Sequence, residues 1–231
     1  MSGKNKQAKF TQFSSYTNTV EPETEFVRHH DHDLKGQWGS RMFGNDRPIV
    51  LELGCGKGEY SVGLARKYPE KNFIGVDIKG NRMWRGAKTA NEEGISNIAF
   101  LRTRIEFISS LFGSNEVSEI WITFPDPQLK EQRMKKRLTH PVFLDNYSRF
   151  LKPDGLIHLK TDSAPLHYYT LEVIQEGGHH LLEATDDLYG RAIQETDPDT
   201  REILSIRTHY ETLFSQKGFA ITYLKFQLHQ P

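Results

Sequence analysis

The stretch Pro48-Ile-Val-Leu-Glu-Leu-Gly-Cys-Gly-Lys-Gly58 limits the folds open to this chain more than any other. Ile49, Val50, Leu51 and Leu53 form a short apolar run that stops at Gly54, Gly56 and Gly58, and helix-compatible sequence starts at Glu59. That order predicts a buried strand, a tight turn and a helix. Glycine belongs where backbone takes positive φ or comes close to a ligand, and the following helix directs its first amides at whatever is held there.

Glu52 and Asp77 narrow the ligand. A pyrophosphate dinucleotide site uses G-x-G-x-x-G, whereas this turn reads G-x-G-x-G and carries a glutamate two residues before its first glycine. A carboxylate repels polyphosphate and attracts a cation. The next apolar run, Phe73-Ile-Gly-Val76, ends in Asp77, about 20 residues on, where α/β folds place the acid that accepts from ribose hydroxyls. A ligand with a ribose, a positive charge and no phosphate is S-adenosylmethionine, so Glu52, Gly54, Gly56 and Asp77 are the expected cofactor residues.

The chain has 231 residues, with 36% hydrophobic and 26% charged, which suits one domain with a sizeable core. No apolar run approaches the roughly 20 residues of a membrane span, and the N-terminus lacks a signal-peptide core, so no membrane partner is expected. A lone cysteine, Cys55, cannot form an internal disulfide and fits a reducing cytoplasm. In the glycine turn its small size explains it better than a nucleophilic role. Lys plus Arg balance Asp plus Glu at 30 each, so any affinity for nucleic acid must come from local charge.

Residues 1–40 are expected to form a flexible, partly basic arm, with Lys4, Lys6 and Lys9 among polar residues, and 41–231 a single domain. His29-His-Asp-His32 and His179-His180 lack cysteines or a second cluster at ligand spacing, and solvated turns explain them better than a metal site. From Ile49 on, strands and helices alternate: strands over 49–53, 72–77, 98–101, 119–123, 156–161, 180–184 and 219–228, with helices over 59–68, 79–93, 106–112, 141–150, 165–175 and 203–216. The expected fold is a Rossmann-like α/β domain of seven strands, mostly parallel, with a C-terminal antiparallel hairpin and helices on both faces.

The strand over 119–123 ends in Phe124-Pro-Asp-Pro-Gln-Leu-Lys130. Prolines either side of Asp126 stiffen the backbone and would hold its carboxylate at the C-terminal edge of a central strand, where α/β sheets bind ligands. An ordinary Asp-Pro turn is the alternative. Lys130, Arg133, Lys135, Lys136 and Arg137 follow, opposed only by Glu131. Such a cluster suits phosphate contacts beside the pocket, against the alternative of a merely solvated face. The strand over 156–161 brings Asp162 to the same edge.

These residues resemble the bacterial tRNA (guanine-N7-)-methyltransferase family over roughly residues 45–228. The resemblance rests on Leu51-Glu-Leu-Gly-Cys-Gly-Lys-Gly58, on Phe124-Pro-Asp-Pro-Gln-Leu-Lys-Glu-Gln-Arg-Met-Lys-Lys-Arg137, and on Thr208-His-Tyr-Glu211. It implies methyl transfer from S-adenosylmethionine to N7 of guanosine 46 in the variable loop of tRNA. It assigns Glu52, Asp77 and Asp126 to the cofactor and Lys130, Asp162, Thr208, His209, Tyr210 and Glu211 to the tRNA. Asp126 is the expected catalytic residue, through positioning. Two positions depart from the family: Gln128 stands where a tryptophan is usual, and Arg104-Ile105 where an Asp-Ala pair usually meets the adenine.

Three other readings remain open on sequence alone: a methyltransferase of the same fold acting on another RNA, a protein or a small molecule; a non-catalytic RNA-binding protein; and, last, a nicotinamide oxidoreductase. The sequence leaves monomer and homodimer both open.

Overall fold

The computed structural model describes residues 3–193, 198–206, 211 and 220–229. Its frame is one sheet of eight strands in the order β1-β4-β3-β2-β5-β6-β8-β7. The strands are β1 (Thr19–Val20), β2 (Ile49–Leu53), β3 (Asn72–Asp77), β4 (Ile98–Arg102), β5 (Val117–Thr123), β6 (Leu151–Thr161), β7 (His180–Thr185) and β8 (Thr222–Gln227). Neighbours from β1 to β6 are parallel, and β8 lies antiparallel between β6 and β7. Seven strands match the expected set; the two-residue β1 is the addition.

Central strands read as apolar runs because helices cover both faces. On one face Leu51, Leu53, Ile74, Ile120, Ile122, Ile157 and Leu159 pack with Trp38, Phe143 and Tyr147. This is the side of α5 (Pro141–Ser148) and α6 (Ala164–Glu176). On the other face Val50, Phe73, Phe100, Trp121 and Tyr223 meet Tyr60 and Leu64 of α3 (Glu59–Lys67) and Met83, Ala87 and Ala90 of α4 (Gly80–Glu93). The spacing of Met83, Ala87 and Ala90 puts them on one stripe of α4, and all are fully buried.

Residues 3–20 depart from the flexible arm expected. Gly3–Ser14 is a helix, α1, seated on α4. Phe13 is fully buried, and Gly80 lets the pair approach: a Cβ there would lie 3.3 Å from both Phe10 and Phe13. Trp84 Nε1 donates to Gln12 Oε1 at 2.7 Å, and Lys9 Nζ lies 4.6 Å from the Trp84 ring centre. Thr19–Val20 then extends the sheet as β1, a short helix, α2 (Thr24–His29), follows, and Val27 and Trp38 of the expected arm are fully buried.

Three further segments differ locally. Where a helix over 203–216 is expected, one runs over Pro198–Leu204, and residues 207–210 and 212–216 lie outside the described residues. The expected helix over 106–112 is a 3-10 turn, Ile105–Ser110. Lys152-Pro-Asp-Gly155, ahead of the expected strand over 156–161, lies within β6 as a bulge, since pairing with β5 jumps from Val117↔Leu151 to Glu119↔Leu156.

Candidate active site

The glycine turn is wired to β3. Gly54 and Cys55 amides both donate to the Val76 carbonyl, at 2.8 and 3.0 Å, and the Gly56 amide donates to Asp77 Oδ2 at 2.9 Å. The other Asp77 oxygen accepts from the Lys79 amide at 2.8 Å. Gly54, Gly56 and Gly58 have φ of +77°, +57° and +72°, a conformation costly for L side chains. Their surroundings differ. A Cβ on Gly54 meets nothing within 4 Å, and one on Gly56 only the Gly54 carbonyl at 4.0 Å, whereas one on Gly58 strikes Phe100 at 2.5 Å. Gly58 is therefore small for packing; Gly54 and Gly56 face open space. Cys55 is buried beside them, and burial, with Glu52 and Asp77 nearby, pushes its thiol pKa far up, away from nucleophile chemistry.

Glu52 is placed at this turn, but beneath it. It is 3% exposed, and its Oε2 accepts from the Ser61 amide at 2.9 Å and from the Ser61 hydroxyl. Gly58 caps α3 without a side chain, so the Glu52 carboxylate supplies the acceptor that a capping residue would give. Its Oε1 accepts from Thr123 Oγ1 at 2.6 Å. One carboxylate thus ties the glycine turn to the end of β5. Burial, opposed by the Ser61 and Thr123 hydrogen bonds, lifts its pKa to about 7.

The shift makes stability depend on pH. The unfolded carboxyl releases its proton near pH 4.5 and the folded one near 7, so this contribution is complete below 4.5 and is lost as pH rises through 7. Relative to Glu52→Gln, wild-type unfolding free energy should drop by about 3 kcal/mol across that window. Denaturant titrations at several pH values check this; parallel profiles for the two proteins would refute it.

Beyond Thr123 the rim begins. Phe124 and Gln128, neither of them glycine, have φ of +48° and +47° and bracket Pro125-Asp126-Pro127. Such backbone persists only where its surroundings hold it, and it gathers at functional loops. Asp126 is exposed, with Oδ1 accepting from the Gln128 amide at 3.1 Å. The basic run continues as a 3-10 turn, Glu131–Lys136, with Lys130, Arg133, Lys135 and Lys136 exposed. Arg137 is corrected out of this patch. It is 9% exposed, its guanidinium sits 4.2 Å from the Tyr169 ring centre, and Nη2 donates to the Gln128 carbonyl at 3.4 Å. It braces the rim from inside.

The remaining candidates divide. Asp162, half-buried after β6, has a pKa raised by burial. Arg104 and Ile105 follow β4; Arg104 pairs with Glu106 at 2.8 Å, and Ile105 packs against the core. Thr208, His209 and Tyr210 lie outside the described residues. Glu211, expected on the tRNA side, is wholly buried, its Oε1 2.8 Å from the equally buried Lys160 Nζ and accepting from the Tyr189 hydroxyl. Sequence reasoning passed over Lys160 and Thr123, whose partners are remote in the chain, and Ser61, nine residues from its partner Glu52. The only local hint was a lysine in an apolar strand.

Along the C-terminal edge the order is therefore Arg104-Ile105 after β4, Asp77 after β3, the glycine turn after β2, Asp126 after β5 and Asp162 after β6. Open space over Gly54 and Gly56 and an acid at the end of β3 fit an adenosyl group carrying a cation. Among the described residues, no group of three or more His, Cys, Asp or Glu is arranged to hold a metal, and no helix is long and apolar enough to cross a membrane.

Sheet and edge together define a Rossmann-like methyltransferase domain. Residues 46–224 match the model of a family described as "Putative methyltransferase". Solved structures share the fold: a 16S rRNA methyltransferase, KamB (TM-score 0.58, 17% identity, 79% of this chain and 88% of that one), and a SAM dependent methyltransferase from Aquifex aeolicus (TM-score 0.53, 13% identity, 88% and 97%). Relatives are closer in sequence. The tRNA (guanine-N(7)-)-methyltransferase of Christiangramia forsetii is 51% identical over 99% of this chain and 100% of its own length. Those of Bacteroides thetaiotaomicron and Porphyromonas gingivalis are 49% and 53% identical over 99% and 86% of this chain, and 87% and 78% of their own lengths. The chain belongs to the tRNA (guanine-N7-)-methyltransferase family.

Proposed function

We propose that this protein methylates N7 of a guanosine in tRNA, at position 46 of the variable loop, using S-adenosylmethionine. The observation that carries the reading is the joint at Glu52, which fixes an open glycine cradle and a proline-stiffened acidic rim on adjacent strands, in a chain of this family. S-adenosylmethionine, when bound, supplies an electrophilic methyl on a sulfonium. Gly54 and Gly56 give its nucleoside backbone access, and Asp77 has lone pairs left for ribose hydroxyls. Arg104-Ile105 borders the adenine.

Guanine N7 has a lone pair and no proton, so no general base is required. Placement carries most of the rate, with reacting atoms brought to about 3 Å in line. Asp126 positions the reacting pair on a stiff rim, and its charge favours the base as it becomes cationic. Asp162 accepts from guanine N1–H and N2–H, which marks guanine against adenine. Glu211 and its neighbours Thr208, His209 and Tyr210 complete the tRNA side, Glu211 through its anchorage to Lys160. The base must leave its tertiary pairing before N7 is reached, and Lys130, Arg133, Lys135 and Lys136 hold phosphates meanwhile. The single, buried Cys55 favours a cytoplasmic setting, as monomer or homodimer.

The test combines labelled cofactor, unmodified tRNA and mapping of the methyl group, which should fall on N7 of that guanosine. Methyl elsewhere, or on protein, overturns the proposal. The four rim cations should contribute about −3 to −4 to the slope of log affinity for tRNA against log salt. A flat response would remove the patch from the account.

A further inference from the structure

We infer that the tRNA surface has a second half, on α1 and α4, across the glycine turn from the rim. α4 starts at Gly80, three residues after Asp77 and capped by Lys79, and in the sheet β2 lies between β3 and β5. The face led by Lys79 and the one led by Lys130 therefore flank the turn along one edge. Lys79, Arg82 and Arg85 are exposed at steps of three residues, about 4.5 Å of helix rise each. Lys6 of α1 is exposed too, and Lys9 and Lys88 lie on the Trp84 ring.

Lys88 pairs with Glu92 at 3.5 Å, but the other cations of this surface differ from many elsewhere in the chain. Arg28, Lys35, Arg66, Lys67, Lys71 and Arg149 each hold a carboxylate. Lys6, Lys79, Arg82 and Arg85, like Lys130, Arg133, Lys135 and Lys136, make no ion pair among the described residues. α1 has no acidic residue, and α4 has none before Glu92. Unneutralised charge on both sides of a site, in a chain of zero net charge, suits a polyanion laid across the mouth rather than one touching a single patch. The docking of α1 on α4 makes this half a fixed platform. A rigid basic platform positions phosphates at little entropic cost, which a loose arm would not.

This inference rests on tRNA being the substrate. The experiment compares wild type with Lys79→Gln/Arg82→Gln/Arg85→Gln for binding of unmodified tRNA at several salt concentrations, with cofactor binding as a folding control. The variant should keep cofactor affinity, lose tenfold or more in tRNA affinity at low salt, and show a salt slope shallower by about 2 to 3. Wild type that binds and methylates tRNA, with a variant of unchanged affinity and slope, overturns this inference alone. Wild type that neither binds nor methylates tRNA overturns the proposed function, and this inference with it.

Discussion

Asp126→Ala should lower methyl transfer at saturating tRNA and cofactor by about 100-fold, roughly 3 kcal/mol of barrier, while tRNA affinity stays within about threefold. The rim explains why the two effects separate. Asp126 lies in a segment whose ends are held in positive φ and braced by Arg137, so the backbone carrying the basic turn stays put when this side chain is cut. What goes is the carboxylate at the sheet edge next to the glycine turn. Alanine also removes the acceptor for the Gln128 amide, so Asp126→Asn is the necessary companion. Asparagine keeps that acceptor and drops the charge. If the Asp126→Asn variant transferred methyl as fast as wild type, Asp126 would be only a turn residue; equal losses of rate and of tRNA affinity in Asp126→Ala would make it only a binding residue. Single-turnover rates and equilibrium binding give both numbers.

The order of elements was legible because its signals are local. Asn72–Asp77 is a strand over the residues its apolar run predicts, and α4 starts one residue from the expected boundary because Met83, Ala87 and Ala90 mark its buried stripe. Glycine spacing located the turn, and two prolines located the rim. What escaped depends on residues far apart in the chain. α1 has little apolar periodicity of its own; its order comes from Phe10 and Phe13 reaching α4 at Gly80. Glu52 read as an acid facing a ligand, because nothing nearby reveals that Ser61 and Thr123 take both its oxygens. Arg137 read as one more cation in a run, since its turn inward is set by Tyr169 on α6.

Lys160→Met should cost about 3–5 kcal/mol of unfolding free energy, a large part of what a domain this size possesses. Lys160 is fully buried on β6, a location an ammonium tolerates only when its protons are all used. Nζ donates to the Leu204 carbonyl at 2.5 Å and the Tyr189 hydroxyl at 3.0 Å, and pairs with Glu211 at 2.8 Å. Methionine fills much the same volume but strands the Glu211 carboxylate in a low-dielectric site. The expected loss is thus mainly the cost of a buried charge without its counter-ion, and it should shrink when that charge is also removed. In Lys160→Met/Glu211→Gln, at least about 1.5 kcal/mol of the sum of the single losses should be recovered. Full additivity, or a single loss under about 1 kcal/mol, would show that the pair does not couple. Under the proposed function the pair has a second effect, because Glu211 closes the Thr208–Glu211 segment assigned there to tRNA. Weakening its tether to β6 should raise KM for tRNA more than KM for the cofactor, whose cradle hangs on Glu52 and Asp77 instead.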